Sequence, residues 1–199
     1  MFKGYSNPPA SSPNPHGDVR VKDSVWFTYK ARIQANNRLD WLDFHSQMLL
    51  VWYAILSATL GVLTIRYEHL LGPNTDIMAT VLSIALLGFS LAVTNRDFRV
   101  RAMLMRKNYL QLQALYRELS LGTAPTPLQT KQYDELLAEC ENHREIDDRI
   151  ARVFATGLTS RKPTAFENCY AISWLGARLI ITVALYVLPL AVGLLTWMC

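Results

Sequence analysis

The chain has 199 residues, 51% of them hydrophobic, with 20 Lys and Arg against 16 Asp and Glu. That length allows one or two domains, but the apolar share lies above the ordinary globular mean and disfavours a conventional water-soluble fold. Cys140, Cys169 and Cys199 form neither a CxxC pair nor an even set, so nothing argues for a disulfide-built framework.

Residues 1–20 read as a disordered tail, since Pro8, Pro9, Pro13, Pro15 and small polar neighbours leave no core to build. No apolar stretch precedes the first charged helix, so a cleavable signal peptide is not expected. A lead-in helix is predicted over 22–43, free of Gly and Pro, with Asp23 or Ser24 as its cap. The aromatics Trp26, Trp41 and Phe44 either pack on later helices or lie at the level of lipid headgroups.

Three blocks carry no formal charge: Phe44 to Ile65 (22 residues), Ile77 to Asn95 (19) and Leu179 to Cys199 (21). Each is long enough to cross a hydrocarbon core of roughly 30 Å as a helix. The first two are apolar around their whole circumference, whereas a soluble core helix keeps a polar stripe. Pro189 in the third removes one backbone hydrogen bond and kinks the helix, which membrane helices tolerate. A third span over 179–199 is expected, with a re-entrant or interfacial segment as the alternative.

Charge then orients the chain. Six Lys or Arg precede the first run and thirteen lie between Arg96 and Arg178, but the loop 66–76 holds only Arg66. The positive-inside rule places the N-terminus and the middle segment in the cytoplasm and the loop outside. Arg96, Arg99, Arg101, Arg106 and Lys107 follow the second span closely and are candidates for lipid headgroup contact.

Between the second and third runs the grammar is helical. Phe98, Ala102, Met105, Tyr109, Leu112, Tyr116 and Leu119 alternate in fours and threes, as expected of a coiled-coil seam, and place a helix over 97–121. "GTAPTPLQ" breaks it, with Thr126 as N-cap and Pro127 at the first position of a helix over 127–156 stopped by Gly157. Its apolar face would hold Leu136, Cys140, Ile150, Val153 and Phe154, and the two helices would form a long cytosolic antiparallel hairpin. Residues 157–178 read as a linker and interfacial segment, with Trp174 and Arg178 suited to the inner interface. The predicted fold is therefore an all-α membrane protein, a transmembrane helical hairpin plus a third C-terminal span.

Catalytic chemistry is not visible. His16, His45, His69 and His143 are scattered, and Cys140 with His143 lacks the second ligand pair of a structural zinc site. "EIDDR" at Glu145 to Arg149 lacks a calcium loop's glycine and reads as a solvated helix face. No phosphate loop, nucleophile elbow or paired-carboxylate motif appears, so no catalytic, metal or cofactor residue is assigned. The basic run after the second span points to lipid, and direct nucleic acid binding is not expected. Cys169 could be acylated, although a buried thiol is the simpler reading.

The spans carry no ionisable residue away from their edges, which disfavours a proton-coupled carrier. They carry small residues at helical spacing instead. Ala54 with Ala58, Ser57 with Gly61, Ala79 with Ser83 and Gly88 with Ala92 are candidates for close helix packing, as are Ala177, Ala184 and Ala191 in the third run. That packing is either between the spans of one chain or between subunits.

The stretch "YKARIQANNRLDWLDFHSQMLLVWYAILSATLGVLTI", a basic amphipathic lead-in followed by a tight pair of spans and a long basic helix, resembles the SLATT family, the SMODS and SLOG-associating two-transmembrane effector domains of prokaryotic conflict systems. The resemblance covers Val25 to Thr156, and extends to the end if the form with a C-terminal apolar segment applies. It implies an effector of antiviral defence in the bacterial inner membrane that assembles into a pore, with a nucleotide-signal synthase or a reverse transcriptase as a partner encoded nearby. It supplies no functional residues.

On that reading the seam from Phe98 to Leu119 joins protomers of a homo-oligomer or receives the trigger, and Ser57, Thr64, Ser83, Ser90 and Thr94 are candidates to face a water path. The rival is a non-conducting anchor whose cytosolic hairpin recruits a soluble enzyme. A membrane enzyme or carrier is a third possibility.

Overall fold

The structure, a computed structural model, describes residues 15–67, 72, 75–122, 124–156 and 162–198. The tail before residue 15, most of the loop 66–76, Gly157 and Cys199 lie outside the described residues. The described chain is all-helical, in six elements: α1 (Pro15–Arg66), α2 (Thr75–Thr94), α3 (Phe98–Leu121), α4 (Pro127–Ala138), α5 (Glu145–Phe154) and α6 (Ala165–Met198). α1 starts inside the expected tail and continues through the lead-in and the first apolar run as one helix of 52 residues. No Pro or Gly stands between Asp18 and Leu60 to interrupt it.

Three helical stretches are long and apolar enough to cross a membrane, lying in α1, α2 and α6, and almost nothing in their apolar windows is buried. Water is a poor solvent for such surfaces, and a bilayer supplies the apolar medium they require. α2 and α3 meet at a turn over 95–97, where Asp97 takes the left-handed conformation at φ 45°. Aspartate tolerates this conformation better than most residues. Past the turn α3 continues in the direction of α2 and packs antiparallel along the N-terminal half of α1, the most extensive contact between elements.

The polar end of the molecule is a bundle formed by that half of α1 with α3, α4 and α5. Val25, Trp26 and Tyr29 of α1 pack with Leu112, Leu115 and Leu119 of α3 and Leu136 of α4. Nearer the apolar helices, Ala35 and Leu39 pack with Ala102 and Met105. Small residues at 35 and 102 let the two backbones approach closely. Ile146 and Ile150 of α5 meet Ala171 at the start of α6.

The expected single helix over 127–156 is instead two, α4 and α5, joined over 139–144. Thr126 caps α4 through a reciprocal box with Gln129. The break is made by Asp147, whose carboxylate accepts from the Arg144 backbone N–H at 2.9 Å and starts a new helix there. α5 then runs antiparallel to α1, with Arg38 beside Asp147 and Phe27 beside Arg152. The hairpin of two long helices is thereby replaced by a compact bundle.

The expected linker 157–178 is also largely helical, because α6 begins at Ala165. Thr164 accepts from the Glu167 N–H at 3.3 Å, and the Glu167 carboxylate accepts from the Thr164 N–H at 2.8 Å. This is a capping box, and "TAFE" carried its signature.

Candidate functional site

The chemistry of the described residues concentrates where the polar bundle meets the apolar helices. Two arginines of α1 hold the bundle together from inside. Arg32 is fully buried, a placement that is unfavourable unless its donors are met. Its guanidinium donates to Leu136 O at 3.0 Å, to Leu137 O at 3.3 Å and to the Asn108 side-chain oxygen. The carbonyls belong to the last turn of α4, the negative end of that helix. Asn108 also donates to Leu136 O at 2.8 Å, so α1, α3 and α4 are tied at one point.

One and a half turns further, Arg38 makes a bidentate pair with Asp147, both bonds 2.9 Å and the carboxylate wholly buried. "EIDDR" is thus not a simple solvated face: Ile146 and Asp147 point inward and only the rest of the segment meets solvent. The sequence counted Arg32 and Arg38 only as charge. The one available signal was their position on an amphipathic helix between apolar residues.

Burial shifts the nearby titratable groups. It pushes the Cys140 thiol above the ordinary cysteine value and lowers His143 below the ordinary histidine value. A hydrogen bond from Lys107 at 2.5 Å holds the Glu139 carboxyl below its usual range. Cys140 lies 3.9 Å from the Met105 sulfur as part of the packing. Among the described residues no group of three or more His, Cys, Asp or Glu is placed to hold a metal.

Every residue of the Phe98 to Leu119 seam packs within its own chain, on α1 or α4. The candidate oligomer seam is therefore occupied by intramolecular contacts, because α3 lies along the N-terminal half of α1. Of the five candidate lipid contacts, Arg101 and Lys107 are paired with Glu141 and Glu139, both across to the segment after α4. Arg96, Arg99 and Arg106 remain exposed.

The small-residue ridges divide. Ser57 and Ser83 face each other across α1 and α2 at 3.4 Å. Ala54, Ala58, Gly61 and Gly88 are exposed on the single chain, Ala92 lines a cleft between α1, α2 and α6, and nothing approaches within 4 Å of where a Cβ at Gly61 or Gly88 would sit. Ala79 is half-buried. Among the candidate pore-facing hydroxyls, Thr64, Ser83 and Thr94 close on carbonyls of their own helix at 2.8, 2.9 and 2.9 Å. Ser90 offers its carbonyl to Thr94.

α6 is joined to α1 by polar contacts as well as apolar ones. His45 and the Tyr186 hydroxyl lie 3.4 Å apart, the Trp52 ring N–H donates to Tyr186 O at 3.2 Å, and Tyr53 donates to Leu185 O at 2.9 Å. Above these contacts the Arg178 guanidinium stacks 4.5 Å over the Trp41 ring. Cys169, expected as a buried thiol, is exposed on the early turns of α6.

Three bilayer-length apolar helices, continuous with a bundle whose buried polar groups serve packing, define a helical membrane protein with an extramembrane domain. The chain belongs to the SMODS and SLOG-associating 2TM effector domain family 5, SLATT family 5, whose profile matches residues 16–198. The match runs through α6, so the third apolar helix lies within the family's domain although its description counts two. Comparison with curated proteins and with solved structures gives no match.

Proposed function

We propose that the protein is the membrane effector of a prokaryotic antiviral defence system, which oligomerises on activation and permeabilises the inner membrane. The observation that carries the reading is the pairing of a family of effector domains with three apolar helices whose outer faces stay uncovered in a single chain. The ridges at Ala54, Ala58, Gly61 and Gly88 leave room for close approach by a second copy. With α3 occupied by α1, these membrane faces carry the assembly.

In this proposal the N-terminus and the polar bundle are cytoplasmic, supported by the thirteen basic residues between Arg96 and Arg178 against the single Arg66 of the loop. The bundle receives the trigger from a partner encoded nearby, a nucleotide-signal synthase or a reverse transcriptase. The protein acts without catalysis of its own and without binding nucleic acid.

The test is membrane potential in cells producing the protein with its genomic neighbours under phage challenge. Depolarisation is expected, and retained polarity overturns the proposal. Ser83→Leu and Ser90→Leu separate a pore from an anchor that merely recruits an enzyme. A pore loses protection with these changes, whereas an anchor keeps it.

A further inference from the structure

A cleft of about 530 Å³ opens between α1, α2 and α6 at the end of the spans nearest the polar bundle. Its deep wall is apolar, with Leu49 of α1, Phe89 and Val93 of α2, and Ile181 and Leu185 of α6. Its rim is different. Arg96, which follows α2, and Arg178 of α6 both line it, together with His45 and the rings of Trp41 and Trp174.

Arg178 is the informative residue. It is half-buried and stacked on Trp41, and it forms no ion pair among the described residues. The carboxylate on that side, Asp147, is already bound by both prongs of Arg38. A guanidinium at an apolar wall with no anion of its own is unfavourable, and a second arginine on the same rim adds to the positive field. The described residues thus supply cations, interfacial tryptophans and an apolar wall, and pair no carboxylate with Arg178.

We propose that this cleft is a binding site for one anionic phospholipid. The phosphate is held by Arg178 and Arg96, Trp41 and Trp174 lie at headgroup level, and an acyl chain lies along Leu49, Phe89 and Leu185. The bound lipid bridges α2 and α6, each of which packs on α1. The site is independent of whether the assembled protein conducts ions, so failure of the pore reading leaves it standing.

The full-length protein is reconstituted in nanodiscs of phosphatidylcholine with or without phosphatidylglycerol. Retained lipid is counted by native mass spectrometry after transfer to detergent, and thermal unfolding is followed in parallel. We expect about one retained phosphatidylglycerol per chain with roughly tenfold preference over phosphatidylcholine, as befits a charge-assisted contact, and a raised Tm. Arg96→Gln with Arg178→Gln abolishes both effects. Ala177→Phe, which fills the cleft and leaves every charge in place, abolishes retention as well and covers the case in which the arginine variant does not fold.

Arg117→Gln with Lys131→Gln, exposed and away from the cleft, leaves retention unchanged. Equal retention of phosphatidylcholine, retention by the Ala177→Phe variant, or equal loss in the Arg117 and Lys131 variant overturns the proposal. Inorganic phosphate added to lipid-free protein distinguishes the source of the anion: if it reproduces the full rise in Tm, the lipid assignment is overturned.

Discussion

The hydroxyl of Tyr53 donates to the backbone carbonyl of Leu185 at 2.9 Å, and Leu185 stands four residues before Pro189. Proline has no N–H, so that carbonyl has no helical donor of its own. In hydrocarbon an unmet carbonyl is costly, and α1 supplies the missing donor to α6. Tyr53→Phe should destabilise the α1–α6 contact by roughly 0.5–1.5 kcal/mol. Pro189→Ala should restore the helical bond and make the second change nearly neutral. A double-mutant cycle by unfolding in mixed micelles checks this, and additive effects would refute the link.

The Arg38–Asp147 pair sits in the interior of the bundle with no solvent at the carboxylate. Asp147→Ala leaves Arg38 buried and unpaired, and should lower stability by about 3–5 kcal/mol. Replacing both, Arg38→Met with Asp147→Leu, should recover a large part of that loss. Chemical denaturation of the detergent-solubilised protein would decide, and equal damage in the single and double variants would count against the pair.

Because the α3 seam is spent within the chain, its substitutions act on folding directly. Leu112→Ala, at a fully buried position, should cost about 2–5 kcal/mol. Met103→Ala, on the exposed face of the same helix, should change stability by less than about 0.5 kcal/mol. The Leu112 effect should not depend on protein concentration. A midpoint that moves with dilution would return the seam to the subunit interface.

His143 gives the bundle a pH response. Its folded value lies below the ordinary histidine value of about 6.5, so the unfolded chain takes up the proton first. Its contribution is fully present above that ordinary value and is lost as pH falls toward the folded value. Thermal scans from pH 7.5 to 5.5, in round figures either side of the histidine range, should show falling stability that flattens in His143→Phe. Glu139 acts in a separate, more acidic window, since its carboxyl is held below the usual glutamate range and its pairing is lost only as pH falls through it. Identical profiles for the two proteins would dismiss His143 as the source.

The apolar spans were legible because unbroken runs such as Phe44 to Ile65 leave no polar face, and no tertiary partner is required to read that. The family resemblance rested on the same layout. The α4–α5 break was not legible, since 139–144 contains neither Pro nor Gly and is created by Asp147 reaching back to Arg144. Arg32, Arg38 and Asn108 escaped notice for a related reason. Polar residues on an amphipathic helix look solvated until a distant carbonyl or carboxylate, such as Leu136 O or Asp147, fixes them inside. The start of α6 could have been found, because Thr164 and Glu167 spell its cap locally.

The unbroken course of α1 has a mechanical consequence. At about 1.5 Å per residue its 52 residues make a rod of about 78 Å, with no Pro or Gly from the bundle core at Val25 to Leu60, deep in the first span. Such a rod twists or tilts as a whole. A few degrees of swing imposed where Trp26 and Tyr29 are gripped would displace the opposite tip by several ångströms, so a disturbance at one end needs no relay of intermediate contacts to be felt at the other.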